Sequence, residues 1–299
     1  MTFVAPTFSR YQEKRRKMMG PGLAAGVWVR FLTNFASQTQ KIMNGQNKYR
    51  RDITIPCYDT DASFRLKPAA FMDHAQELAY LAANELHFGY DDLQEHHTVW
   101  VLSRMRIDFH NTPRWTDRTT LYTWHKGLEG PFFLRDFELR EEGDTDFADK
   151  SNVLISCTSS WIVMNIETRR MVLSEEVLDM VPASTQCQDD AIETPAAKVL
   201  IPKDIEMKDV HTHKVAYSDI DVNGHTNNAR YIVWAMDAID YATLASSQVK
   251  SLTINFIKET RPGDEVVISV GSANPDTYFV TGKVSDRPCF SVRLDLGVI

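Results

Sequence analysis

The chain has 299 residues, 43% apolar and 24% charged, an ordinary globular composition long enough for one large domain or two ordinary ones. Its four cysteines (Cys57, Cys157, Cys187 and Cys289) lie far apart with no CxxC, which argues against a disulfide framework or a zinc site and for a reducing compartment. The net charge is −7, but residues 1–51 hold ten Lys/Arg against one acid, Glu13; the body is therefore strongly acidic, which argues against nucleic acid as the main partner.

The basic head carries "EKRRKMM" and then "GPGLAAGVWVRFLTNFA". Arg30 interrupts that apolar stretch, and the remainder is too short to span a bilayer, so no stable membrane insertion is expected. Arg-rich, acid-poor leaders serve as organelle transit peptides or surface helices, but the plainer reading is a dispensable head or sequence upstream of a start at Met43. Residues 1–46 are set outside the fold.

A repeat follows at an offset of 160. "YDTDASFRLKPAAFMDHAQELAYLAA" begins at Tyr58 and "YSDIDVNGHTNNARYIVWAMDAIDYA" at Tyr217, so that Asp59 meets Asp219 and Asp61 meets Asp221. In the first copy Phe71, Ala75, Leu78, Ala79 and Ala82 mark one helical face; Tyr231, Ala235, Ala238, Ile239 and Ala242 hold the same five places in the second. Pro68 and Asn228 both suit an early helical position or its cap. Each helix is followed by an alternating strand, "VLSRMRIDF" with Val101, Ser103, Met105, Ile107 and Phe109 on one side, and "SLTINFIKE" with Leu252, Ile254 and Phe256. More strand-like runs come after each. The unit is a helix and then antiparallel strands, twice: an α+β layout in which two sheets can join edge to edge and hide edge strands. The expected organisation is 1–46 head, 47–171 first unit, 172–210 surface linker and 211–299 second unit.

A scaffold must recur in both copies, whereas a site is needed once. Asn223 faces Ser63 across the repeat, His225 faces Arg65 and Glu259 faces His110, so the polar equipment is peculiar to the second copy. An imidazole titrates near neutrality and can relay a proton. Asp221 can hold its other nitrogen, Asn223 can steer a water or a carbonyl, and Glu259 can activate water or attack directly. The helix start near Asn227 and Asn228 offers unpaired N–H groups for a developing oxyanion. Against this stands the plain reading of Asp and Asn as helix caps and of Glu259 as a solvated strand-end charge. His96/His97 and His211/His213 lack the further ligands of a metal site and read as surface histidines; Trp100, Trp124 and Trp161 read as core filling.

The stretch "DIDVNGHTNNARYIVWAMD" resembles the signature of acyl-ACP thioesterases, D-x-N-x-H-x-N-N followed by a basic residue, Tyr and a helix. "WVLSRMRIDFHNTPRW", "TWHKGLEGPFFLRDFEL" and "SSWIVMNIETRRM" resemble the same family in its order, from about Tyr49 to the C-terminus. The resemblance implies a tandem double hotdog, two long helices each wrapped by a curved antiparallel sheet. It implies hydrolysis of fatty acyl-ACP thioesters, with Asp221, Asn223, His225 and Glu259 as the catalytic set, and it calls for no metal or redox cofactor. Where the family pattern reads R-R-E-C this chain reads "IKET", so Thr260 stands in place of a cysteine and a thiol mechanism is ruled out. The acyl tail is expected along the helix and sheet of the first copy, the carbonyl at the N–H groups of Asn227 and Asn228, and the acidic carrier protein at basic residues such as Arg135, Arg169 and Arg170. The implied setting is cytoplasmic, or a plastid or other organelle if the head is a transit peptide, and a homodimer is compatible with the sequence. Two other classes stay open: a hotdog dehydratase of 3-hydroxyacyl thioesters, and a non-catalytic acyl-thioester sensor.

Overall fold

The computed structural model describes residues 40–41, 47–172, 175–179, 181 and 183–298. Apart from 40–41, the head at 1–46 lies outside the described residues. Contacts divide the chain into Met1–Gln40 and Lys41–Ile299, and both copies of the repeat fall in the second unit.

The first copy contributes β1 (Tyr49–Thr54), α1 (Pro68–Glu85), a short α2 (Tyr90–Glu95), then β2 (Thr98–Phe109), β3 (Arg118–Glu129), β4 (Phe132–Glu141) and β5 (Val153–Asn165). After a short α3 (Glu175–Asp179), the second copy gives β6 (Lys208–Lys214), α4 (Asn228–Asp237), α5 (Tyr241–Ala245), β7 (Ser247–Phe256), β8 (Glu265–Asn274), β9 (Thr277–Val284) and β10 (Arg287–Val298). These strands form one antiparallel sheet in the order β1-β3-β4-β5-β2-β7-β10-β9-β8-β6. Read outward from the β2–β7 seam, the two halves have the same order in mirror sequence. The seam pairs the first strand after each helix, with Arg104 opposite Asn255 and Ile107 opposite Leu252. Each copy thus covers an edge that the other would expose.

The helices lie against the concave face. Pro68 opens α1, where its missing N–H costs nothing. Phe71, Ala75, Leu78, Ala79 and Ala82 are all buried as the five-place spacing predicts. In the second copy Tyr231, Ala235, Ala238 and Ile239 are buried, but Ala242 is exposed. The second helix is shorter than expected because α4 ends at Asp237 and Asp240 starts α5 by accepting a bond from the Thr243 N–H at 3.2 Å. A local cap here outcompetes continuation of the helix. α1 and α4 touch one another, and a single apolar core runs beneath both.

One further expectation changes. In β2 the register shifts between Leu102 and Arg104, so Leu102 is buried while Val101 is only half-buried. A bulge at Ser103 inverts the alternation on one side of it. The segment expected as a surface linker runs mostly exposed and is pinned to the sheet at points: Cys187 is buried with Tyr122, Trp124 and Phe147, and Ala191 N–H donates to Asp136 at 2.9 Å. Trp124 therefore fills the layer under this segment, on the sheet face away from α1.

Candidate active site at the start of the second helix

The two copies enter their helices through the same loop. In the first, Asp61 N–H donates to Arg65 O at 2.8 Å, Ser63 N–H to the Asp61 carboxylate at 2.8 Å, and Lys67 N–H to Asp59 O at 2.9 Å. In the second, Asp221 N–H donates to His225 O at 2.9 Å, Asn223 N–H to the Asp221 carboxylate at 2.8 Å, and Asn227 N–H to Asp219 O at 2.8 Å. Both loops turn through a left-handed residue, Phe64 at φ 65° and Gly224 at φ 76°. Asp61 and Asp221 are thus the shared scaffold: each carboxylate accepts the N–H two residues on in an Asx turn, and Asp61 takes that of Arg65 as well. The expected bond from Asp221 to the imidazole is not made.

What differs is the residue the loop presents. Arg65 turns back to Asp61 at 3.1 Å and donates to Ser247 O at 2.6 Å, at the start of β7. His225, at the equivalent place, points its Nε2 at Glu259 Oε2, 3.5 Å away. The imidazole and the carboxylate are each partly buried. The geometry therefore brings two of the four expected residues together from segments 34 residues apart in the sequence. Asn223 is exposed, with its amide 3.5 Å from Asp221 and bonded to neither His225 nor Glu259.

Glu259 follows β7, and Thr260 explains why it sits where it does. Thr260 is fully buried. Its hydroxyl lies 2.6 Å from Thr226 Oγ1 and 3.0 Å from Tyr231 Oη, its N–H donates to Tyr231 Oη at 3.0 Å, and its carbonyl accepts from Thr226 N–H at 3.1 Å. Thr226 is next to His225 in the chain, and Tyr231 sits on the first turn of α4. One threonine thus ties the glutamate loop to the histidine loop and to the helix. The sequence marked Thr260 only as a missing cysteine.

Two arginines complete the carboxylate's surroundings. Arg169 Nη2 lies 2.6 Å and Arg261 Nη2 2.9 Å from Glu259 Oε1. Burial pushes the Glu259 carboxyl upward, but the bonds from Arg169 and Arg261, helped by His225, outweigh it and leave it below the usual glutamate value. Arg169 belongs to the first copy, in the turn after β5, where it adopts φ 56°. It was expected at a docking surface; it is exposed, and it also reaches Glu259 in the second copy's site. Arg135 is contradicted outright as a docking residue, since it is only 6% exposed. Arg170 is exposed.

Asn227 caps α4, its side-chain oxygen accepting from Ala229 N–H at 2.8 Å and from Gln76 of α1 at 3.1 Å. Its own N–H is taken by Asp219. Asn228, the first residue of α4, is left with a backbone N–H that has no hydrogen-bond partner among the described residues, at the positive end of the helix dipole. His213, read from the sequence as a surface residue, bonds the buried Asp219 at 2.8 Å and packs on Trp234 at 4.5 Å between ring centroids. Asp219 also accepts from Arg230 at 3.1 Å and from Ala216 N–H at 2.9 Å, and so anchors the base of the loop.

The family models of the acyl-ACP thioesterase N-terminal and C-terminal domains match residues 46–181 and 202–285. Among curated proteins, the chloroplastic oleoyl-acyl carrier protein thioesterase of Coriandrum sativum is 24% identical over 252 residues, covering 79% of this chain and 65% of that protein. The chloroplastic palmitoyl-acyl carrier protein thioesterase of Gossypium hirsutum is 25% identical over 266 residues, covering 86% and 63%. The chain thus spans less than two thirds of the length of either. Among solved structures, an acyl-ACP thioesterase from Bacteroides thetaiotaomicron superposes with a TM-score of 0.74 at 20% identity, over 85% of this chain and 100% of that one. A 12:0-ACP thioesterase from Umbellularia californica gives 0.73 at 19%, over 85% and 98%. These likenesses establish the double hotdog.

Proposed function

The chain belongs to the acyl-ACP thioesterase family, and from that premise we propose that it hydrolyses the thioester of a fatty acyl chain held on acyl carrier protein, releasing the fatty acid and the carrier thiol. The observation that carries this reading is the meeting of His225 Nε2 with Glu259 Oε2 at 3.5 Å, beside the helix start that begins with Asn228. That separation is looser than a direct hydrogen bond, as catalytic contacts are before substrate tightens them.

Glu259 Oε1 is held by two guanidinium groups, which leaves Oε2 on the His225 side as the working oxygen. A carboxylate so held is ionised at neutral pH but weakened as a nucleophile, so the water route is the better fit. Water loses a proton to Glu259 Oε2 as its oxygen bonds the thioester carbonyl carbon. The carbonyl oxygen takes the negative charge and accepts from the Asn228 N–H. When the tetrahedral centre collapses, the C–S bond breaks and the proton passes through His225 to the departing thiolate. Asn223, whose amide is exposed, orients the carbonyl or the attacking water, and Asp221 holds the loop that presents both Asn223 and His225. In a single turnover in ¹⁸O-water, direct water attack places the label in the fatty acid; label found in Glu259 instead would reveal an acyl-glutamyl intermediate opened at the glutamyl carbonyl.

Carrier docking falls to exposed basic residues such as Arg170. Among the described residues no helix is long and apolar enough to cross a membrane. We place the reaction in the cytoplasm, or in a plastid or other organelle if the basic head acts as a transit segment; the names of the two plant relatives place those proteins in chloroplasts. Thiol release from purified protein and acyl-ACP tests the reading. Sustained release that is lost in Glu259→Gln and in His225→Ala is expected; loss of water from a 3-hydroxyacyl substrate, or saturable binding without turnover, would point instead to a dehydratase or a sensor.

A further inference from the structure

The inner face of the first copy, under α1, carries a cation that no described residue pairs with an opposite charge. Arg135 lies on β4 between Phe133 and Phe137, and both phenylalanines pack into the apolar clusters beneath α1. Alternation along the strand places Arg135 on that same inward face. Its residue is 94% buried, counting from its 6% exposure. Among the described residues it makes one side-chain hydrogen bond, from Nη1 to the neutral Thr123 hydroxyl at 3.3 Å, and no ion pair. The other buried Lys and Arg side chains behave differently. Lys48 pairs with Asp189, and Arg140 with Glu138 at 2.6 Å and Asp144 at 2.8 Å. An uncompensated buried charge is costly, and proteins that keep one commonly do so at a site.

The neighbours of Arg135 are short of acceptors too. Tyr49 and Thr123 sit opposite one another on β1 and β3, and the Tyr49 hydroxyl is buried without a partner. Burial, reinforced by Glu85 and opposed by Arg135, pushes that phenol up to about 12, so it stays a neutral donor. His125, directly across from Arg135, is held down to about 4 by burial and by the Arg135 charge, and its Nδ1 lies 3.2 Å from Leu134 O. It can supply no negative charge. Ser159, the β5 partner of Arg135, donates to the Arg135 carbonyl at 2.9 Å and accepts from Trp161 Nε1 at 2.8 Å. The result is a guanidinium and a phenol, both donors, in an apolar interior; among the described residues no carboxylate bonds either group, and exposed Glu85 acts on the phenol only through its charge.

We infer that the interior of the first copy recognises an anionic oxygen group on the acyl chain, and that the substrates this protein favours include acyl thioesters bearing a carboxylate remote from the thioester, bound by Arg135 and Tyr49. A planar guanidinium offers a carboxylate two parallel N–H bonds, which suits this role better than contact with a methyl-ended tail. The inference rests on the thioesterase reading for its substrate, but the site itself does not.

The test compares kcat/KM for homologous series of acyl thioesters ending in methyl or in carboxylate, together with calorimetric binding of free mono- and dicarboxylic acids. The ratio of carboxylate to methyl kcat/KM should fall about tenfold or more in Arg135→Met and severalfold in Tyr49→Phe, which removes one hydroxyl only. Dicarboxylate binding should weaken in step, which separates the two readings: turnover absent for every thioester while dicarboxylates still bind through Arg135 would remove the hydrolase and leave the site. An unchanged ratio in both variants, with dicarboxylates binding no more tightly than monocarboxylates of equal length, would overturn the inference. Circular dichroism establishes that each variant is folded, and Tyr49→Phe keeps the test decisive should Arg135→Met fail to fold.

Discussion

Thr260 offers the sharpest perturbation of the site without touching a reacting group. Thr260→Val keeps the shape and deletes one hydroxyl. Two contacts disappear, at 2.6 Å to Thr226 and 3.0 Å to Tyr231, while the backbone bonds to the same two residues remain. A buried neutral hydrogen bond is worth about 1 kcal/mol net, so the loss comes to about 2 kcal/mol. For a domain of this size that is a fall in Tm of about 4–8 °C. The functional loss should be larger in proportion, because Glu259 is the next residue and its place against His225 depends on this tie. A shift of about 1 Å at a catalytic group costs up to about a hundredfold in rate, so a drop in kcat/KM of about ten- to a hundredfold is expected with little change in KM. Thermal unfolding followed by circular dichroism and thiol release from acyl-ACP give the two numbers. Thr260→Ser, which retains the hydroxyl, should stay near wild type in rate. Were Thr260→Val to keep both its Tm and its kcat/KM, the threonine would not be what positions the glutamate.

Three other outcomes follow from the same contacts. Arg169→Met and Arg261→Met each remove a bond that holds the Glu259 carboxyl low, so the pH at which activity is half lost on the acid side should move upward in both, and further in the double variant, as read from a pH profile of kcat/KM. Asp219 is held below its usual value: burial acts upward, and the bonds from the Ala216 N–H, His213 and Arg230 more than offset it. Its contribution is therefore present above the ordinary aspartate value and is lost as pH falls through the lowered one. Asp219→Ala should cost about 2–3 kcal/mol at neutral pH, discounted because His213 and Arg230 are partly exposed, and urea titrations at neutral and acid pH should show that gap closing as pH falls. At Gly224 nothing lies within 4 Å of an added Cβ, so Gly224→Ala should cost only the backbone strain at φ 76°, about 1 kcal/mol in chemical denaturation.

The sequence carried the repeat because both copies must build the same loop and bury the same helix face. Asp61 with Asp221 and Phe71 with Tyr231 are local, periodic features, and such features survive in a linear string. His225 and Glu259 were legible by subtraction, as polar residues the scaffold does not need twice. What escaped was non-local or hidden by compensation. The bulge at Ser103 adds a residue to one strand only, and the run "VWVLS" reads as alternating in either phase. The break before Asp240 involves residues compatible with a continuous helix, and only the cap to Thr243 decides. Arg169 reaches the site across the copies, a contact that no spacing rule predicts. Arg135 looked like a surface charge because arginine usually is one, and burial of an unpaired guanidinium leaves no mark in composition.

The central claim is that His225 and Glu259 act as one unit, and a double-mutant cycle in kcat/KM measures it directly. Groups that serve a single proton path are strongly non-additive, so His225→Ala and Glu259→Gln combined should cost little more than the worse of the two alone. Losses that simply multiply in the double variant would mean that the two side chains work independently, and the pairing at 3.5 Å would not be the catalytic one.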